Sequence, residues 1–307
     1  MPETRKRGRD VFGLLLLDKP AGMSSNHALQ CVKRLYQATR AGHTGSLDPL
    51  ATGMLPVLFG SGTRLCGYLL ESGKEYRATA VLGVATTTGD AEGEVTAHRP
   101  DGPRPSESEV AAVLRRFVGE IEQIPPMYSA LKRDGVPLYR LARRGVAVER
   151  EARRVRIESL VLEEYRWPNL VMTVRCSKGT YIRTLVEDIA VALGTVGHVG
   201  QLRRLGVTPF AGEPMHALAE LERLAALPEG LRALDALLLP PDRALPDWPA
   251  VRLDAASAAR LLQGQAVRAE PAWPQGAVRV YAADEEFIAL GTVSPEGRLA
   301  PDRVFRR

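Results

Sequence analysis

The stretch 41–60, AGHTGSLDPLATGMLPVLFG, sets one carboxylate among residues that can shape a backbone around it. Gly42, Gly45 and Gly53 permit sharp or positive-φ turns, and Ser46, Asp48 and Thr52 bring short polar side chains close to that backbone. An isolated Asp-Pro beside glycines is usually only a turn. Here the apolar run 54–59 follows at once, so Asp48 lies on a loop clamped against buried structure. Such a loop can hold one carboxylate in a fixed orientation.

Three further stretches offer it company. In KEYRATAVLGVATTTGDAEG, Tyr76, Ala78, Ala80 and Leu82 alternate with Glu75, Arg77, Thr79 and Val81, a strand period that ends in a Gly-Asp turn. Tyr76 thereby shares a face with small apolar residues, where a ring has room to lie flat; otherwise a strand tyrosine is packing. In SKGTYIRTLVEDIAVALG, Ile182, Leu185, Val186, Ile189 and Leu193 fall on one side of a helix that Thr180 is expected to cap and Gly194 to stop. Arg183 then stands in the first turn, where the helix dipole disfavours a cation, so it either has a carboxylate partner elsewhere or is a plain surface arginine. In LDKPAGMSS, Lys19 precedes a turn on Pro20 and Gly22. It is either a positive charge near Asp48 or a phosphate, or a solvated turn lysine.

These residues need elements to position them. The run 11–17 reads as a buried strand, and Asn26 or Ser25 is placed to cap a helix carrying Ala28, Val32 and Leu35. Ser106 and Glu109 form a capping box for an amphipathic helix that Gly119 ends. Between Lys132 and Arg156 nine basic residues face three acidic ones, with Tyr139 among them and Tyr128 in the Pro-rich entry just before. A segment carrying +6 within a chain of net charge +5 suits a nucleic-acid backbone better than a plain solvated face. From 215 to 239 one or two helices are expected, and Pro240, Pro241, Pro246 and Pro249 mark a linker. Beyond it a helix at 255–262 and strands at 278–281, 287–293 and 299–305 suggest a small β-rich module.

At 307 residues with 45% hydrophobic content the chain is long enough for one large domain and a small one. Three widely spaced cysteines imply neither a disulfide framework nor a zinc site, and reducing cytoplasm is the expected compartment. Arg5, Lys6, Arg7 and Arg9 before the apolar run mimic a signal peptide, but Asp18-Lys19-Pro20 interrupts it without a cleavage pattern. No stretch approaches the roughly 20 apolar residues that span a bilayer. Without a P-loop, dinucleotide fingerprint or metal-ligand cluster, no cofactor or metal is expected.

The string GHTGSLDPLATG resembles the catalytic loop of the TruB family of tRNA pseudouridine synthases, in its bacterial branch, with Ser46 where Thr is commoner. LDKPAGMSS, KEYRA, CSKGTYIR and the Leu202 region resemble the family's other motifs, over about 16–210. The resemblance implies that Asp48 is the nucleophile, that Tyr76 stacks on the base and serves as general base, and that Arg183 pairs with Asp48. It places His43, Tyr181 and Leu202, with Lys19, around the substrate. It implies an α+β fold, a mixed, largely antiparallel sheet flanked by helices. The division is a basic tail (1–10), a catalytic domain (11–240) with a mobile basic insertion at about 123–156, and a PUA-like RNA-binding domain (250–307). The implied reaction is uridine to pseudouridine at position 55 in the T-loop of tRNA, by base flipping. A monomer is expected, since nothing asks for an obligate dimer. A tRNA-folding chaperone would need only the basic segment and the C-terminal module. A glycosidic hydrolase would need a second carboxylate, which no motif position offers.

Overall fold

A computed structural model of the chain describes residues 8–99, 104–146 and 148–305. Arg5, Lys6 and Arg7 of the basic tail lie outside them. The centre is a nine-stranded sheet. Its main path runs His216–Ala217, Gly13–Lys19, Thr52–Phe59, Gly197–Val207, Lys74–Leu82, Asn169–Cys176, Arg153–Arg166, Gly119–Gln123, and Ala41–His43 adds to Thr52–Phe59 off that path. Two of the pairings are parallel and the others antiparallel, so the sheet is mixed and largely antiparallel as expected.

The hydrophobic patterns report how each strand is covered. Strand Gly13–Lys19 is apolar without alternation as far as Leu17, because both its faces are buried. Leu15 and Leu17 pack with Ala28 and Val32 of helix Ser25–Leu35 and with Leu221 and Leu234. Leu14 and Leu16 pack on the other side with Phe287, Leu290 and Phe305 of the C-terminal module. Lys74–Leu82 alternates instead. Ala78, Ala80 and Leu82 bury against Leu185, Val186 and Ile189 of helix Ile182–Ala192.

The C-terminal module is a five-stranded sheet in the order Ala250–Arg252, Gly276–Tyr281, Phe287–Val293, Arg298–Val304, Val267–Arg268, with helix Ala255–Leu262 beside it. The stretch before the linker forms two helices, Leu218–Ala225 and Gly230–Asp235. The Ser106–Glu109 capping box starts helix Glu107–Arg116 as expected. Within the basic insertion a two-stranded hairpin, Lys132–Arg133 with Val136–Pro137, leads into a five-residue helix, Leu138–Ala142. Its last basic residues, Arg153, Arg154 and Arg156, belong to the main sheet, paired with Gly119–Gln123. No helix among the described residues is long and apolar enough to cross a membrane.

Candidate active site

Two expectations about helix caps fail, and both failures build the site. Helix Ser25–Leu35 is capped by Ser24, whose Oγ accepts from the His27 N–H at 3.2 Å, not by Ser25 or Asn26. The Ser25 hydroxyl is thereby free to reach the loop. It accepts from the Leu47 N–H at 2.7 Å and donates to the Leu47 carbonyl at 3.0 Å. On the other side of Asp48, the Pro49 carbonyl accepts from the Gly22 N–H at 2.9 Å and from Lys19 Nζ at 3.3 Å. Both neighbours of Asp48 are thus pinned to one turn.

Lys19 is 0% exposed, so it is neither a solvated lysine nor a phosphate contact. The Pro20–Gly22 turn wraps the chain around its ammonium, which also donates to the Pro20 and Met23 carbonyls at 2.8 and 2.7 Å. Burial lowers its pKa to about 8, against the opposing pull of Glu92 and Asp48.

Helix Ile182–Ala192 starts one residue beyond Tyr181, and the Thr180 hydroxyl donates to the Ser177 carbonyl instead of capping. The buried Gln123 side chain takes over there, accepting from the Tyr181 N–H at 3.0 Å and donating to the Tyr181 carbonyl at 3.3 Å. Arg183 does stand in the first turn, and its cation is matched by carboxylates. Nε lies 3.1 Å from Asp48 Oδ2 and Nη1 3.7 Å from Asp90 Oδ2. Nη1 and Nη2 also donate to the Thr88 and Tyr128 carbonyls at 2.8 and 2.7 Å.

Asp90 was legible only as a turn residue. It is a buried carboxylate behind the guanidinium, accepting from Thr88 Oγ1 at 2.6 Å and the Glu92 N–H at 3.1 Å. A second carboxylate therefore exists, but it is absent from the cleft wall, where a hydrolase's acid would have to stand.

The cleft itself has a volume of about 380 Å³ and is lined by Asp48, Tyr76, Tyr181, Arg183, Leu202 and Arg204, among others. Asp48 keeps 41% of its side chain exposed into it. Burial is still the largest influence and raises its carboxyl above the ordinary range; Arg183 and Lys19 oppose this and Asp90 adds to it. The Tyr76 phenol is likewise pushed up by burial and drawn down by Arg204, which lies against it. Burial also raises Tyr181. His43 is not among the lining residues. It sits one step back on Ala41–His43, its Nδ1 buried without a partner, and burial followed by Arg204 lowers its pKa.

Sequence reasoning missed Ser25, Asp90, Gln123 and Arg204, and only their burial, not their spacing, marks them. Together these groups set an oriented carboxylate in a cleft walled by tyrosines, on a largely antiparallel sheet.

Comparison with known proteins narrows the class. Residues 33–182 match the family described as TruB family pseudouridylate synthase (N terminal domain). Residues 183–246 match tRNA pseudouridylate synthase B C-terminal domain, and 249–305 match Pseudouridine synthase II TruB, C-terminal. The tRNA pseudouridine synthase B of Pseudomonas putida (strain GB-1) is 52% identical over 306 residues, covering 100% of this chain and 99% of its own. That of Nitrosococcus oceani is 50% identical, covering 99% and 97%. A chain in the crystal structure of a Cbf5-Nop10-Gar1 complex superposes with a TM-score of 0.71 at 26% identity, over 96% of this chain and 84% of that one. The chain belongs to the TruB family and is a pseudouridine synthase.

Proposed function

We propose that this enzyme isomerises the T-loop uridine at position 55 of tRNA, with Asp48 as the nucleophile. The observation that carries the reading is the Asp48–Arg183 contact of 3.1 Å at the floor of a cleft walled by Tyr76 and Leu202. The reaction exchanges a C–N glycosidic bond for a C–C bond, so the uracil must be detached, held, turned and rejoined through C5. A carboxylate adduct divides that difficult step in two. Asp48 must be ionised to form it, and the Arg183 cation favours the ionised form against burial.

The target base is buried in folded tRNA and has to be flipped, at a cost of a few kcal/mol that stacking and phosphate contacts offset. Tyr76 would lie on the base, with Leu202 and Tyr181 closing the pocket. His43 would occupy the vacated stack, and its weak basicity suits a neutral, flat group there. Lys19 acts indirectly, as the residue that holds the Pro49 carbonyl. We assign 11–240 to catalysis, 124–152 to tRNA capture and 250–307 to a PUA-like RNA-binding module. The enzyme works as a monomer in the reducing cytoplasm, where its three free thiols stay reduced.

The test uses a tRNA transcript carrying tritium at uridine C5, since the new bond expels that hydrogen to water. Release of one tritium per tRNA, abolished by changing the T-loop uridine, is expected. Tight binding with no release would favour an RNA-folding role instead.

A further inference from the structure

Arg204 is the largest of the fully buried side chains, at 1% exposure. Among the described residues no carboxylate lies within ion-pair distance of it. An interior cation without a counter-charge is costly, and an apolar residue of similar volume would generally serve stability better. Its surroundings show what it is placed to do. Nε donates to the Met54 carbonyl at 2.6 Å and Nη2 to the Gly45 carbonyl at 3.1 Å. Gly45 precedes the Asp48 turn and Met54 follows it, so one guanidinium ties the loop's entry to its exit.

Arg204 is also the register partner of Tyr76 across the two adjacent strands, and both line the cleft. On its other side Arg204 pairs with Gly53, at φ +99°, where a Cβ would come within 2.2 Å of the Arg204 carbonyl oxygen, so only glycine lets the loop's exit strand lie this close. Its field is felt around the cleft floor. After burial it is the next influence lowering both His43 and Lys74, the latter to about 8.

We propose that Arg204 is a positioning residue of the isomerisation: its buried cation is the counter-charge that lets Tyr76, which lines the same cleft as Asp48, ionise to the phenolate that accepts the proton from C5. The inference rests on the reading of Tyr76 as general base. The step balances within the site and water. Tyr76 yields its proton to water. The C5–H bond then breaks, its proton passing to the phenolate and its electron pair into the ring, and N1 takes a proton from water. Without a cation beside it, a buried phenolate would be strongly disfavoured.

The experiment measures single-turnover rates with protium and deuterium at uridine C5, using the full chain and whole tRNA. The variants are Arg204→Gln, which is neutral but can still donate to a carbonyl, Arg204→Lys, which keeps the charge, Tyr76→Phe, and Arg204→Gln with Tyr76→Phe. Arg204→Gln is expected to bind tRNA as wild type, to slow by about a hundredfold, and to show a larger C5 isotope effect. Arg204→Lys should recover most of the rate, and Arg204→Gln should cost little more once Tyr76 is Phe.

A folded Arg204→Gln at wild-type rate overturns the proposal, as do losses that multiply in the double variant while Tyr76→Phe is itself slow. If Arg204→Gln does not fold, a slowed Arg204→Lys with an unchanged isotope effect overturns it, and an enlarged one supports it. Tyr76→Phe at wild-type rate instead sinks the assignment of Tyr76 as base, and is seen without touching Arg204.

Discussion

The Asp48 loop and the basic insertion are both irregular segments rich in turn residues, yet they are held by opposite means. Around Asp48 the backbone is fixed by buried partners from three elements: Lys19, Ser25 and Arg204. Between 124 and 152 the charges face solvent, with Lys132, Arg133, Arg140, Arg143 and Arg144 all exposed. The insertion's described contacts include an internal one, Arg150 Nη1 to the Pro125 carbonyl at 2.9 Å, and Leu138 is buried. It meets the site through the Tyr128 carbonyl, which accepts from Arg183, and through Tyr128, Ser129 and Ala130, which line the cleft. Chemistry requires orientation in a dry site, whereas capture of a polyanion requires only accessible charge. Changes in the loop should therefore act on the rate of isomerisation, and changes in the insertion on affinity and its response to salt.

The hardest break of that contrast is Asp48→Asn. It should lower single-turnover isomerisation by on the order of 10⁴-fold or more while leaving tRNA affinity intact. Retained activity would remove Asp48 from its role. Arg183→Lys keeps the charge but loses the planar fork that reaches Asp48 and two carbonyls, and a rate loss of about 10²-fold is expected from misorientation.

On the other side, neutralising the insertion should leave the saturated rate unchanged. If it engages about six phosphates, log affinity falls with log salt at a slope of roughly −4 to −5. Lys132, Arg140, Arg143 and Arg144 changed together to Ala should flatten that slope by about 3. A slope already near zero in the wild type would end the capture role. Ser25→Ala is a smaller test of the loop. It orphans the buried Leu47 N–H, should destabilise the fold by about 1–3 kcal/mol, and should slow turnover without changing the salt slope.

The smallest expected effect is one of sign. Asp48 is raised in the folded state, mainly by burial. A carboxyl raised above its unfolded value stabilises the fold at low pH, and loses that contribution as pH rises through the folded pKa. At neutral pH the ionised Asp48 is thus a strain on the fold, and Asp48→Asn should melt at a higher temperature than wild type. The same shift puts the acid limb of the pH–rate profile above the ordinary aspartate range. Asp90→Asn, by removing a charge that pushes Asp48 up, should move that limb to lower pH. An unmoved limb would separate Asp90 from the ionisation of Asp48.

What could be read without the fold was local. The unbroken apolar run ahead of Lys19, the alternation through Tyr76 and the Ser106–Glu109 capping box each depend on residues a few positions apart, and each formed the element expected. Asp48, Tyr76 and Arg183 were also legible, because their motifs are long and resemble a known family, and the cleft holds all three. The rest lay beyond local pattern. Ser25 meets Leu47 at a separation of 22 residues, Gln123 meets Tyr181 at 58, and Arg204 meets Gly45 at 159. Each depends on which strand returns beside which, and in what register. Side-chain type sets what a group can donate, accept or carry as charge. Only the packed sheet decides which partner it finds and how far water is kept from the pair, and those two quantities set the ionisation and orientation of Asp48.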